Sequence, residues 1–213
     1  MASTTILGSR TLEANRIVDD LFNMLSKYGQ GDYLGEQVSQ LEHSLQAANC
    51  AKETGSSNTT VLAALLHDCG HILPNSILVN STSEDASSNQ QMTLSTGQSV
   101  GRHGHDILGG NYLASLGFPP QVYELVQGHV VAKRYLTAVE EEYYNGLSDA
   151  SKRSLGFQGG PFSQSQVESF RKEPFFQEKV QLRRFDDAAK VVGAQVPPLD
   201  AYRELAIVVL QQV

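Results

Sequence analysis

Six residues spread along this chain carry side chains suited to a metal site: His43, the adjacent His67 and Asp68, His105, His129 and Asp186. Imidazole with carboxylate suits iron, manganese, zinc or cobalt and does not choose between them. Most of the six lie in apolar, helix-patterned stretches, where an unpaired charge is costly. An aspartate has two oxygens, so Asp68 is placed to bridge two cations. His43, His67 and Asp186 would complete the shell of one, and His105 and His129 would serve the other. The second cation then keeps open positions for water, oxygen or substrate, which serves metal-assisted hydrolysis or oxidation. A single histidine on an apolar face is more often a core residue than a ligand, and an HD dipeptide arises often by chance. The joint order carries the reading.

Two neighbours compete for places in the set. His103 lies in a polar stretch beside His105, but His105 opens the amphipathic run HDILGGNYLASL. Asp187 lies beside Asp186, but Asp186 shares the run LRRFDDAAK with Leu182, Phe185 and Ala189 on a helical spacing.

The elements that must position these side chains read as helices. Leu12, Ile17, Val18, Leu21, Phe22 and Leu25 set a helical period from Thr11 to Tyr28, with Gly29 to stop it. Ser39 and Glu42 form a capping-box pattern at the start of a helix carrying His43 to about Thr54. Thr59 to Cys69 is a buried helix ended by Gly70, and a helix through Leu116 begins at His105. Gln121–Gln127 and His129–Tyr144 read as two helices. Residues 147–161 are loop-rich with short helical pieces. Ser163–Lys172 and Phe175–Val192 are helices, the second carrying Asp186, and a last one spans about Leu199–Gln211. Residues 73–101, rich in Ser, Asn, Gln and Thr, read as a long polar loop insertion. No strand series stands out, so the fold class is all-α, a helical bundle around a dinuclear metal site, in one domain over 1–213.

The composition bounds the rest. The formal net charge is -7 and there is no basic stripe, which argues against nucleic acid as a partner. No apolar run approaches the ~20 residues a membrane span requires, and the N-terminal residues lack a signal-peptide pattern. A cytoplasmic location is expected. Cys50 and Cys69 form no CxxC and no disulfide framework. Nothing in the sequence indicates an oligomeric state.

The ligand pattern resembles the HD-domain superfamily, helical proteins with a metal centre. Most members are phosphohydrolases and a minority are mixed-valent diiron oxygenases. YLGEQVSQLEHSLQAA, HDCGH, GGNYLASLGFP, GHVVAKRYL, LSDASKRSLGFQGGP and LRRFDDAAK are similar to the phosphonate-cleaving oxygenase branch. That branch holds 2-amino-1-hydroxyethylphosphonate dioxygenase and its trimethylammonio-substrate relative. The resemblance covers roughly residues 15–210 and departs from the family at 73–101.

It implies two iron ions, Fe(II)/Fe(III), with O2 as co-substrate, and oxidative cleavage of the C–P bond of a hydroxylated aminoalkylphosphonate to phosphate and a carboxylate. A small anionic substrate is then the expected partner. Lys133 lies one helical turn from His129, Arg183 three residues before Asp186, and His71 one turn beyond His67. With the Ser151 hydroxyl they would cradle an oxyanion. Tyr33 and Glu36 match the family's lid pair, the tyrosine capping the open metal position and the glutamate receiving the substrate's amino end. Gln40, one turn after Glu36, is placed to line the same pocket. Three other readings stay open: a phosphohydrolase on the same fold, a non-catalytic binding module, and an oxygenase for another hydroxy or amino acid.

Overall fold

The computed structural model describes residues 2–33, 35–78, 90–95, 97 and 99–212, without the side chains of residues 2–9 and 78. The architecture is an all-α bundle. Helix α1 (Ala2–Tyr28) packs along the outside against α12 (Arg203–Leu210), which follows a 3₁₀ turn at Leu199–Tyr202. The inner layer is α2 (Gln40–Glu53), α3 (Asn58–Leu66), α7 (Pro120–Val139) and α11 (Phe176–Ala188), with α6 (His105–Ser115) laid against α7. Leu62, Leu65, Leu66, Leu125, Leu136 and Leu182 are fully buried. At ~25 cal/mol per Å² of apolar surface, their burial is the main force holding the inner helices together.

Local chemistry sets the ends. Ser39 accepts from the Glu42 N–H while the Glu42 carboxylate accepts from the Ser39 N–H at 2.6 Å, so the capping box at the head of α2 forms as the sequence reads. Helix α3 stops one residue before His67, not at Gly70. Asp68 (φ -101°, ψ 8°) turns the chain into the short α4 (Cys69–Ile72). That break splays His67 and Asp68 apart. Gly70 is required for a different reason than helix termination: a Cβ there would stand 1.9 Å from the His105 carbonyl oxygen, so only glycine lets α6 approach α4.

The two helices read around residue 128 are one continuous α7. Gly128 does not break it. The side chain of Lys179 on α11 lies where a Cβ would be, with its Cγ and Cδ 2.6 Å away, so the glycine marks a close helix–helix approach.

The segment read as a polar loop holds more structure than expected. It opens with α5 (Asn75–Leu78) and ends in an antiparallel pair, β1 (Gln91–Thr93) with β2 (Ser99–Arg102), register Gln91↔Arg102 and Thr93↔Ser99. Met92 and Val100 are buried on its inner face. Arg102 pins the hairpin to the bundle, its Nη1 donating to the carbonyls of Gly70 (2.8 Å) and Leu73 (3.1 Å). Within the segment, residues 79–89, 96 and 98 lie outside the described residues. Residues 147–161 are largely helical: after α8 (Glu141–Gly146), α9 (Asp149–Phe157) starts at Ser148, whose side chain caps it, and α10 (Gln164–Phe170) follows.

Candidate metal centre

Each histidine is held by its own backbone anchor. Nδ1 of His43 lies 2.8 Å from the Ala189 carbonyl, of His67 2.8 Å from Ala64, of His105 3.1 Å from Arg102 and of His129 2.7 Å from Val126. A carbonyl only accepts, so each Nδ1 carries the hydrogen and each Nε2, where the ring is neutral, presents a lone pair. Those lone pairs meet in two couples: His43 and His67 at 3.0 Å, and His105 and His129 at 3.0 Å. Facing lone pairs repel unless a cation stands between them.

The carboxylates complete the picture. Asp68 Oδ2 lies 3.6 Å from His43 Nε2 and 3.4 Å from His67 Nε2, while its Oδ1 lies 3.3 Å from His105 and 3.5 Å from His129. Asp186 joins the first couple, Oδ1 3.4 Å from His43 and Oδ2 3.9 Å from His67. Asp68 Oδ2 is buried without a hydrogen-bond partner. One proton can join two nitrogens, but not also two carboxylate oxygens. Donors about 2.0–2.2 Å from a cation stand roughly 3.0–3.5 Å from one another, close to most of the separations seen. The residues fit two cations sharing Asp68. His71 adds a further imidazole to the second group: it stacks on His105 at 3.8 Å, and its Nε2, buried and unpartnered, lies 3.8 Å from Asp68 Oδ1.

The electrostatics agree. Burial alone would raise the Asp68 carboxyl, but the charge at His67 and the His105 and His129 imidazoles set against its oxygens hold it well below the usual carboxylate range. Burial pushes the His67 imidazolium down, yet Asp68 and Asp186 outweigh it and raise its pKa to about 9, so the two carboxylates call for a positive charge at this spot, a proton that a bound cation would displace. Burial also lowers His71 and His129, favouring the neutral imidazole. His71 Nδ1 accepts from the Arg102 N–H at 3.0 Å, so its Nε2 carries the hydrogen and is a donor rather than a ligand.

Beside the centre lies a narrow pocket with a free cavity volume of about 30 Å³, room for roughly one or two waters. Asp68, His71, His105, His129 and Asp186 reach it, whereas His43 and His67 do not. Lys133 is buried, and its Nζ donates to Ser154 Oγ at 2.9 Å. Burial, with Arg183 nearby, brings its pKa down to about 7. Tyr33 stacks on His43 at 3.7 Å and its hydroxyl lies 3.4 Å from Asp186 Oδ1. Burial and the Asp186 and Asp68 charges push its phenol well above its ordinary value, so it stays protonated. Glu36 lines the same pocket with its Oε1 buried and unpartnered. Ser151 lines it too.

Two sequence expectations change. Arg183 lines the pocket but is not a free cation, because Nη1 donates to Asp186 Oδ2 at 2.7 Å and Nη2 to Asp187, while Nε donates to Tyr143 at 3.1 Å. Its single charge is shared between the two aspartates, and the contact to Oδ2 keeps Asp186 aimed at the centre. Gln40 does not line the pocket. It faces a separate cleft of about 410 Å³ with Asp32, Gly35, Gln91 and Arg102, because α2 begins at Gln40 and turns it outward from Glu36. His71 is the wall common to both spaces. His103 stays outside the donor groups and Asp187 outside the centre, as the helical spacing favours.

The sequence reading missed Lys190, Ser154 and Gln158 in the pocket wall, and Met92 and Val100 in its apolar lid. Lys190 lies four residues after Asp186 and Ser154 three after Ser151, the spacing that identified Lys133 and Arg183. Met92 and Val100 had no such signal, since a short hairpin in a polar stretch shows no long period. Gln46 was also missed. It clamps the chain after α11, donating to the Val191 carbonyl (3.0 Å) and accepting from its N–H (2.9 Å).

A family model described as HD domain matches residues 41–152, just over half of the chain. The chain is 40% identical over 185 residues to a hydroxymethylphosphonate dioxygenase of Gimesia maris, covering 87% of this chain and 84% of that protein. It is 34% identical over 186 residues to a [1-hydroxy-2-(trimethylamino)ethyl]phosphonate dioxygenase (glycine-betaine-forming) of Leisingera caerulea, covering 87% and 86%. An uncharacterized protein of Acanthamoeba polyphaga mimivirus is 35% identical over 195 residues, covering 92% and 82%.

Proposed function

We propose that this chain, which belongs to the HD-domain family, is a mixed-valent diiron oxygenase that uses O2 to cleave the C–P bond of a hydroxylated alkyl- or aminoalkylphosphonate. The reaction balances without an outside reductant: R–CH(OH)–PO3²⁻ and O2 give R–COO⁻, HPO4²⁻ and a proton. The observation that carries the reading is the Asp68 carboxylate. Each of its oxygens faces its own imidazole couple beside a pocket that also holds the buried Lys133, in a chain similar over most of its length to two phosphonate dioxygenases.

His43, His67, Asp68 and Asp186 would hold one iron, and Asp68, His105 and His129 the other. Irons held there would supply oxygen activation and the Lewis acidity that polarises the substrate hydroxyl. The chain's own groups do the rest. Lys133 and the Ser151 hydroxyl face the phosphonate, where a charge-assisted hydrogen bond is about twice as strong as a neutral one. An anion beside Lys133 offsets the burial that lowers its pKa, so substrate and the Lys133 proton bind together. Arg183 fixes Asp186 rather than gripping substrate. Glu36, with a bare Oε1, accepts from an amino group where the substrate has one. Tyr33 covers the Asp186 side, and Met92, Val100 and Val130 keep water out. No described helix is long and apolar enough to cross a membrane, and the substrate is a small molecule met in solution. A cytoplasmic location fits that reading.

The test is phosphate release from hydroxymethylphosphonate and from 2-amino-1-hydroxyethylphosphonate by iron-loaded protein, with O2 uptake followed in parallel. Phosphate and O2 consumption should match one to one, and both should stop without oxygen. Anaerobic turnover of simple phosphate esters, with no O2-dependent product, would identify a phosphohydrolase instead.

A further inference from the structure

Two serines one helical turn apart on α9 face the pocket, and each accepts from a lysine. Their protons differ. Ser154 Oγ accepts from Lys133 (2.9 Å) and donates to the Ser151 carbonyl (3.1 Å), so its hydrogen is committed. Ser151 Oγ accepts from Lys190 Nζ at 3.1 Å, and among the described residues no acceptor takes its hydrogen. Lys190 is held in turn by Asp187, 3.9 Å away, the carboxylate that also receives Arg183 and Tyr143. Lysine Nζ only donates, so the lone pair of Ser151 that faces Lys190 is filled and the hydroxyl must present its proton elsewhere. The remaining direction is the pocket, which both residues line.

We propose that Lys190 is a positioning residue that fixes the Ser151 hydroxyl as a hydrogen-bond donor to a phosphonate oxygen of the substrate. This rests on the reading of the pocket as a phosphonate site. Ser154, by contrast, holds the Lys133 ammonium and does not touch substrate. Lys190 therefore acts through Ser151, and its loss has no further effect once the hydroxyl is gone.

The test is a double-mutant cycle on metal-loaded, anaerobic protein, with methylphosphonate as the probe and calorimetry as the readout. Ser151→Ala and Lys190→Met should each weaken binding about tenfold, the scale of one charge-assisted contact. The double variant should bind no worse than Ser151→Ala. Lys190→Arg, which keeps a cationic donor, should recover most of the affinity, and the same variants should raise KM for hydroxymethylphosphonate with kcat little changed. Metal content and melting temperature report whether each variant is folded. If Lys190→Met loses as much in the Ser151→Ala background as in wild type, Lys190 acts as a direct charge and the proposal is overturned. If Lys190→Met binds as wild type does, it is overturned too. Wild type that neither binds methylphosphonate nor turns over a hydroxy-phosphonate defeats the phosphonate reading itself, a separate outcome.

Discussion

The two halves of the metal centre share Asp68 but are enclosed differently. The half made by His43, His67 and Asp186 is the more enclosed: His43 and His67 are wholly buried and stay off the pocket, Tyr33 stacks over His43, and only Asp186, tied to Arg183, reaches the pocket. The half made by His105 and His129 opens on the pocket, with His71 stacked beside it and the hairpin residues Met92 and Val100 above. Similar donors are thus divided by packing into a half that is held and a half that opens on the pocket, where the proposed substrate would bind. Helices α2, α3 and α11 build the first, and a hairpin contributes to the second, where shape can change without disturbing the core.

Replacing the shared ligand breaks both halves at once. Asp68→Asn should reduce metal from two per chain to one or fewer, measured by elemental analysis, and lower turnover about 10³-fold or more, since several kcal/mol of metal stabilisation is lost. Replacing one ligand on each side separates the halves. His105→Ala should weaken methylphosphonate binding about 10- to 100-fold, whereas His43→Ala should leave it closer to wild type while abolishing turnover; equal losses would remove the distinction.

Next comes Lys133. Lys133→Met should raise KM by about 30- to 100-fold, a loss of ~2–3 kcal/mol for one buried charged contact. With a pKa of about 7, its proton leaves as pH rises through neutrality, so kcat/KM should fall on that limb. Lys133→Arg should flatten the part owed to Lys133, leaving any contribution from the substrate's own ionisation. Stability runs the other way. The unfolded lysine titrates near ~10.4, so the unfolded chain binds more protons between about pH 7 and 10 and the native state gains stability as pH rises there. Lys133→Met should therefore melt higher than wild type near pH 6.

The smallest effects lie at the covers. Tyr33→Phe removes one long hydrogen bond to Asp186 and should change kcat/KM by only about threefold to tenfold. Met92→Ala should cost ~2 kcal/mol in urea unfolding and relax the preference between the two hydroxy-phosphonates, because it opens the substrate side alone.

Much of this arrangement was legible in the residues. His43, Asp186 and the capping box at Ser39 sit in strongly periodic helices, and periodicity survives folding because it follows from which face is buried. Lys133 was found through its spacing from His129 on one helix. Where the reading failed, tertiary contact decided. Gly128 looks like a helix break, yet it is small because Lys179 crosses it. Arg183 looks like a free cation because sequence does not show that Asp186 and Asp187 both turn toward it. Gln40 keeps the right spacing from Glu36, but the chain between them is not helical. Met92 and Val100 belong to a hairpin whose burial depends on the bundle it covers.

The shared Asp68 is tested most directly by electron paramagnetic resonance of partly reduced, iron-loaded protein. Two irons bridged by Asp68 should give a spin-coupled mixed-valent signal that changes when hydroxymethylphosphonate is added anaerobically, because the substrate meets the half that opens on the pocket. A signal from isolated ferric ions alone, or a coupled signal that the substrate leaves untouched, would contradict this division of the centre.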